Sequence, residues 1–253
     1  MDLAERVSTL RRASGLSARE LAALVGVAPT TVTRVEAGTV SPSFALAQEI
    51  LTVLGEPIGF LGGADREAMI AARRALDPAL PVAETPGAAQ WRERWGRLGL
   101  VDAGGHAVEG READLLERAG QVARLTRRPG AADFDSGPTA TLIASLLRSA
   151  GIDHALTGDA GANLYRSSGE EAWPVLYVED VAAAATAAGL VSKASGSYGP
   201  RITLIPFDEL SEMGRIDIGG ISVAARDQVI LDAYGGIDRM PEQADILVGR
   251  RVA

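Results

Sequence analysis

The chain has 253 residues, of which 47% are hydrophobic and only 4% aromatic, so a folded core is expected, built mainly from Ala, Val and Leu. It contains no cysteine, which excludes disulfides, thiolate catalysis and cysteine-type zinc sites. The formal net charge of −8 disfavours strong non-specific binding to nucleic acid. No apolar run is long enough for a signal peptide or a membrane span, so we expect a cytoplasmic protein with no membrane partner.

The first segment, residues 1–63, is predicted to form a compact set of four short helices. The first helix ends at Gly15, and Ser17 with Glu20 three residues later gives the pattern of a capping box at the start of the second. A third helix is predicted over residues 30–37, and a fourth begins after Ser43. This segment is therefore expected to be an all-α domain.

The second segment, residues 64–135, is predicted to be mostly helical. Helices are expected over residues 65–76, around residues 91–98 and over residues 111–128. Between the last two, residues 98–108 contain a Gly-Gly pair flanked by apolar residues, which is typical of a short hairpin. Helices followed by a small hairpin are compatible with a winged-helix-like unit.

The third segment, residues 136–253, changes to an alternation of short apolar runs with helical patterns. Helices are predicted over residues 138–150, 159–165, 181–188, 225–234 and 241–248, and strands over residues 154–157, 174–179, 202–206 and 221–224. Alternating strands and helices indicate an α/β domain with one main sheet. The whole chain is therefore expected to be multidomain, an α part followed by an α/β part.

Four consecutive motifs of the first segment resemble the phage-repressor (XRE/Cro) helix-turn-helix family. They are RRASGLSARELA at residues 11–22, GV at residues 26–27, TVTRVEAG at residues 31–38 and SPS at residues 41–43. The resemblance implies a sequence-specific transcriptional regulator, most simply a repressor, whose third helix enters the major groove of double-stranded DNA. It also implies a homodimer on a palindromic operator, with half-sites about one helical turn apart.

Helix geometry selects the side chains that face DNA. If Val32 and Val35 are buried, the outward positions of the third helix are Pro29, Thr30, Thr33 and Arg34. The guanidinium of an arginine at such a position can bind guanine O6 and N7 together. Helix starts add phosphate contacts. The expected DNA-binding residues are Ser17, Arg19, Pro29, Thr30, Thr31, Thr33, Arg34 and Ser43, of which Thr31 has core packing as its alternative role.

Other positions of the first segment are expected to stabilise the fold or to lack a DNA contact that the family usually has. Arg11 and Glu36 match a pair that in the family bridges the first and third helices. Ala18 stands where the family usually has Gln, and Ser41 and Ser43 stand where Arg or Lys is frequent. Residues 1–48 hold five arginines against four carboxylates, a net charge of only +1. Operator binding is therefore expected to depend on dimerisation or on a second DNA-contacting unit.

The C-terminal half lacks the usual signatures of catalysis. The only histidines are His106 and His154, and no Gly-x-Ser-x-Gly elbow, His-x-x-x-His pair or Gly-Lys-Ser/Thr loop occurs. Asp133 and Asp135 have the spacing of a divalent-ion pair in nucleotidyltransferases, but a solvated linker is the preferred interpretation. Four further carboxylates show no recognisable spacing: Asp159, Glu179, Asp180 and Asp217. No catalytic residue, metal site or cofactor is predicted, and nucleotidyl transfer is the enzymatic alternative.

Three stretches of the third segment resemble the C-terminal domain of AbiEi-type antitoxins. They are LTGDAGANLY at residues 156–165, PVLYVE at residues 174–179 and VAARDQVILD at residues 223–232. The resemblance implies repression of the protein's own operon and a nucleotidyltransferase toxin as partner. Members of that family carry a winged helix at the N-terminus, so the XRE-like first segment is a departure. The alternatives are a small-molecule effector site, a module that only binds a protein partner, and a nucleotidyltransferase-like fold stripped of its metal carboxylates.

Overall fold

The computed structural model describes residues 3–55, 65–135, 137–166, 173–193 and 201–250. The chain divides into two compact units, Met1–Ala123 and Arg124–Ala253. The predicted boundary after residue 63 falls within the first unit, inside residues 56–64, which lie outside the described residues. The division into domains at residues 1–63, 64–135 and 136–253 stays a prediction.

The first unit is built from helices. They are α1 Leu3–Ala13, α2 Ala18–Val25, α3 Pro29–Glu36, α4 Phe44–Val53, α5 Arg66–Leu76, α6 Pro86–Arg97 and α7 Glu112–Val122. The predicted hairpin is present between α6 and α7, where Val101 and Ala107 form an antiparallel bridge and the N–H of Asp102 donates to the carbonyl of His106 at 2.8 Å. Whether α6 and this hairpin act as a winged helix stays a prediction.

One predicted helix of this unit is too long. The helix expected over residues 111–128 ends at Val122, and a separate 3-10 turn follows at Leu125–Arg127. The carbonyl of Val122 accepts from the N–H of Asp65, and the N–H of Leu125 donates to the carbonyl of Gly235. Because these backbone groups bind distant partners, they are not used to continue the helix.

The second unit contains six strands and six α-helices in its described residues. The strands are β1 Ala132–Asp135, β2 His154–Thr157, β3 Val175–Val178, β4 Arg201–Pro206, β5 Ile216–Ile218 and β6 Ile221–Val223. The helices are α8 Ala140–Ser149, α9 Gly158–Tyr165, α10 Val181–Ala187, α11 Glu209–Glu212, α12 Arg226–Tyr234 and α13 Met240–Val248.

The strands form one mixed sheet in the order β1-β4-β3-β2-β6-β5, which confirms the prediction of one main sheet. β3–β4 and β2–β6 pair in parallel, and the other neighbours pair antiparallel. Leu156, Leu176 and Leu204 lie in register across β2, β3 and β4 and belong to one buried cluster. Ile143 and Leu147 of α8 complete that core. Side chains alternate along a strand, so Ala155, Tyr177 and Ile205 point to the opposite face.

The solvated linker predicted at Asp133–Asp135 is wrong, since these residues lie in β1. Phe134 is buried between the two aspartates, and β1 pairs antiparallel with β4. The strand therefore belongs to the sheet of the second unit, although the sequence placed it in the middle segment. A strand at a sheet edge can expose alternate polar residues, which makes a four-residue edge strand resemble a linker.

Candidate nucleic-acid interface

The third helix presents its predicted reading face to solvent. Val32 and Val35 are 0% and 1% exposed, so their side chains hold α3 in the core. Four of the predicted positions are exposed, namely Pro29, Thr30, Thr33 and Arg34. Thr31 is half-buried, consistent with its alternative role in packing. The structure therefore brings these residues of α3 to one accessible surface.

The second helix begins with the capping box that the sequence predicted. Ser17 Oγ accepts from the N–H of Glu20 at 3.1 Å, and the Glu20 carboxylate accepts from the N–H of Ser17 at 2.8 Å. The backbone hydrogen bond from Ser17 is the main reason that the pKa of Glu20 lies below its usual value. A serine hydroxyl that accepts one bond can still donate its proton, so Ser17 remains able to bind a phosphate oxygen.

The fourth helix has a serine cap of the same kind. Ser43 Oγ accepts from the N–H of Leu46 at 3.2 Å, and both Ser43 and the neighbouring Phe44 are exposed. Arg19, on the first turn of α2, is exposed as well. Unbonded N–H groups at a helix start favour an anion. The two serine caps thus mark the ends of α2 and α4 at which phosphate contacts were predicted.

An ion pair fixes the third helix on the first, as the sequence predicted. Arg11 binds both carboxylate oxygens of Glu36, with a Nη2–Oε2 distance of 2.9 Å, and its Nη1 donates to the carbonyl of Leu16 at 2.7 Å. The hydrogen bond to Glu36 raises the pKa of Arg11. Because its guanidinium is engaged in these bonds, Arg11 orients α3 and is assigned to the packing of the domain.

The sequence did not predict that α6 packs against the helix-turn-helix. Trp91 and Trp95 are 3% and 0% exposed, and Trp91 Nε1 donates to an Asp65 carboxylate oxygen at 2.8 Å. Arg94 of α6 forms an ion pair with Glu49 of α4. The spacing of the two tryptophans was the one indication in the sequence, because it places both on one face of a helix. Such a pattern predicts a buried face but does not identify the element that covers it.

The second unit contains a buried polar cluster that sequence reasoning also missed, called here the Asp232 cluster. Its members are Arg128, Thr157, Tyr177, Gln228 and Asp232. Asp232 accepts from Thr157 at 2.5 Å, from Tyr177 at 2.8 Å, from Gln228 at 2.8 Å and also from Arg128. Every member is at most 7% exposed, so the Asp232 carboxylate is removed from water and is hydrogen-bonded by four protein donors instead.

Burial and charge shift two pKa values in the Asp232 cluster. Burial disfavours the charge of Arg128, but the Asp232 carboxylate outweighs that effect and raises the pKa of Arg128. Burial is also the main reason that the pKa of Tyr177 lies well above 10, and it outweighs the opposing effect of Arg128. The cluster therefore holds Tyr177 neutral and Arg128 charged.

The candidate metal-binding carboxylates are engaged separately. Asp133 accepts from Arg201 at 2.8 Å and from Thr203 at 2.7 Å, while Asp135 pairs with Lys193. The remaining carboxylates with known partners accept backbone N–H groups: Asp159 from Ala160 and Trp173, Asp180 from Ala183, and Asp217 from Gly220. Within the described ranges, no group of three or more His, Asp or Glu side chains could hold a metal ion.

The two histidines occupy unrelated positions. His106 lies in the exposed turn of the hairpin, with Nδ1 at 3.6 Å from Asp102. His154 is 5% exposed at the start of β2, and its Nδ1 lies 3.0 Å from the carbonyl of Ile152. In the part of the chain that the structure describes, neither histidine forms a hydrogen bond with a serine hydroxyl.

Comparison with known families identifies the first part of the chain. A family model described as helix-turn-helix matches residues 7–61, about a fifth of the chain. No curated protein and no solved structure matches the chain significantly. Residues 7–61 therefore form a helix-turn-helix domain of XRE type, which at this coarse level makes the protein a DNA-binding regulator. In the part of the chain that the structure describes, no helix is long and apolar enough to cross a membrane.

Proposed function

We propose that the protein is a sequence-specific transcriptional repressor that binds a palindromic operator as a homodimer. The observation that carries this proposal is the exposed row of Thr30, Thr33 and Arg34 on a helix whose opposite face is buried. Arg34 is assigned the direct base contact, and the threonines are assigned thymine methyl groups or phosphates. Ser17, Arg19 and Ser43 are assigned to the DNA backbone.

Selection from random duplex DNA tests this function. The full chain is expected to enrich a two-fold symmetric motif with half-sites about 10 base pairs apart, because a two-fold dimer presents α3 to successive major grooves. The selection is run at about 0.15 M salt, since phosphate-driven affinity falls steeply with salt. Enrichment of an asymmetric motif would contradict the homodimer, and no enrichment would contradict the function.

For the second unit we propose an antitoxin-like role, in which it binds a protein toxin and the operon is autoregulated. What supports it is that the three stretches resembling AbiEi-type antitoxins each supply part of the Asp232 cluster: Thr157, then Tyr177, then Gln228 and Asp232. A toxin encoded beside this gene should co-purify with the full chain. If no such protein binds and small molecules instead raise the melting temperature, effector sensing replaces this role.

We further propose that the chain is not an enzyme. The support is that Asp133, Asp159, Asp180 and Asp217 each bind separate protein groups. Nucleotidyl transfer needs carboxylates that converge on metal ions. Magnesium-dependent nucleotide turnover by the purified protein would contradict this proposal.

A further inference from the structure

Helix α6 lies outside the residues that the family model matches, and it is fixed to the helix-turn-helix. Trp95 is fully buried, and Arg94 pairs with Glu49 of α4. The guanidinium of Arg94 also lies 4.7 Å above the ring of Trp91. Any residue on the last turn of α6 is therefore held at a defined place relative to α2, α3 and α4.

Arg97 ends α6 and lies beside the turn that joins α2 to α3. Its Nη1 lies 3.4 Å from the position that a Cβ on Gly26 would occupy. Gly26 caps α2 in the left-handed conformation with φ 70°, and α3 begins three residues later at Pro29. Three residues span at most about 11 Å, so the guanidinium is within reach of whatever lies against the first turn of α3.

The way in which a helix-turn-helix binds DNA determines what lies against the turn between α2 and α3. The first turn of the recognition helix contacts base edges while the preceding helix crosses the phosphate backbone. The connection between α2 and α3 thus faces the wall of the major groove, where phosphate oxygens are the nearest anions. An arginine guanidinium binds phosphate oxygens with two parallel hydrogen bonds.

In the free protein Arg97 is paired with a carboxylate that can release it. Arg97 Nη2 lies 2.5 Å from Glu93 Oε1 on the same helix, and the two side chains are 44% and 67% exposed. Ion pairs this exposed contribute little to stability. Exchange of Glu93 for a phosphate therefore costs little, and the carboxylate competes with DNA for the guanidinium.

Arg97 differs from the other charged residues around it, which line a groove between α6 and the hairpin, by its position beside Gly26. An open groove of about 520 Å³ between α6 and the hairpin is lined by Arg92, Arg97, Glu93 and Asp102 among others. Two arginines against two carboxylates give these lining side chains no net charge, and Arg92 pairs with Glu84 outside α6. The groove as a whole is not an anion site, and Arg97 is the lining cation that lies beside Gly26.

We propose that Arg97 binds a DNA backbone phosphate beside the α2–α3 turn, which adds a contact from outside the helix-turn-helix domain. This inference rests on the proposed DNA-binding function. It supplies an electrostatic contact to a domain whose Ala18, Ser41 and Ser43 replace side chains that the family commonly uses for that purpose. Arg97 positions the protein on DNA and carries no base preference.

The test is the affinity of the full chain for its selected duplex, measured over a range of salt. Arg97→Gln should raise Kd about ten- to hundredfold and reduce the slope of log K against log salt by about 1.8, because the proposed homodimer loses one phosphate contact from each protomer. Glu93→Gln should lower Kd, because the competing carboxylate is gone. Arg239→Gln removes the same charge from an exposed ion pair with Glu242 in the second unit and should leave both quantities unchanged.

The two substitutions are expected to change Kd in opposite directions, which distinguishes a DNA contact from a purely structural ion pair. If the Arg97–Glu93 pair only stabilised α6, both substitutions would lower the melting temperature and weaken binding together, which would overturn the inference. Unchanged Kd and salt slope for Arg97→Gln would overturn it as well, while leaving the repressor function intact. A wild-type chain that selects no duplex would instead contradict the proposed function itself.

Discussion

At the scale of single residues, the second unit buries the carboxylate of Asp232 among four side-chain donors. Asp232 is 0% exposed and accepts hydrogen bonds from Arg128, Thr157, Tyr177 and Gln228. A buried charge is stable only when it is paired and its lone pairs are satisfied. Three of the four donors, Arg128, Thr157 and Tyr177, come from distant parts of the sequence, which is why no local motif predicted the cluster.

The raised pKa of Tyr177 predicts a dependence of stability on alkaline pH. A tyrosine whose pKa is higher in the folded state than the unfolded value of about 10 stabilises the fold fully below that pH and loses this contribution as pH rises. Tyr177→Phe should therefore cost about 1–3 kcal/mol near neutrality, for the lost hydrogen bonds to charged partners. The difference in unfolding free energy between wild type and variant should shrink above about pH 10.

Urea unfolding at several pH values checks this expectation, with Arg239→Gln as a control. Arg239 pairs with Glu242 at the surface, and the two side chains are 76% and 42% exposed, so its loss should change stability little. A difference between wild type and Tyr177→Phe that stays constant from about pH 8 to about pH 11 would mean that Tyr177 is not held neutral by the fold.

At the scale of elements, the sequence predicted correctly those features that neighbouring residues determine. The capping box of α2 forms as expected from Ser17 and Glu20, and β2 spans His154–Thr157 as predicted. The strands that were missed, β1 Ala132–Asp135 and β5 Ile216–Ile218, lie at the two edges of the sheet. Short edge strands depend on a distant partner, so their own sequence carries little periodicity. The packing of α6 on the helix-turn-helix is a long-range contact of the same kind.

Loss of the capping box should affect both the stability of the fold and the dependence of that stability on pH. Ser17→Ala removes the acceptor for the N–H of Glu20 and should lower the free energy of unfolding by about 1 kcal/mol. Because the pKa of Glu20 is lowered in the folded state, the stabilisation is present above its ordinary pKa and is lost as pH falls through the folded value. Thermal unfolding at neutral and acidic pH measures both effects.

The matched control is Ser43→Ala, which removes the side-chain cap of α4 without a capping box. It should destabilise by a similar amount at neutral pH but without the acid-dependent part that Glu20 supplies. The N–H of residue 17 remains in Ser17→Ala, so Glu20→Gln tests the reciprocal bond. If wild type and Glu20→Gln lost stability equally toward acid pH, the Glu20 carboxylate would contribute nothing to the fold.

At the scale of the whole molecule, the DNA-reading surface is a small part of an acidic chain. The net charge is −8, and the exposed reading residues include a single arginine on α3, Arg34. Under the proposed function, weak electrostatic attraction makes base contacts and the proposed dimerisation decisive for affinity. The sequence could predict which positions of α3 are exposed because their exposure follows from the period of one helix. The role proposed for the second unit involves a partner outside the chain and stays a prediction.

The most direct test of the repressor proposal is the specificity ratio of the selected operator over duplexes with one substituted base pair, for wild type and Arg34→Ala. The wild-type ratio should be large at a guanine, and Arg34→Ala should lose about 1–3 kcal/mol of discrimination at that base pair alone. Arg12→Ala, which alters an exposed arginine of α1, should keep the ratio. Equal discrimination by wild type and Arg34→Ala at every base pair would contradict the proposal that α3 reads the operator through Arg34.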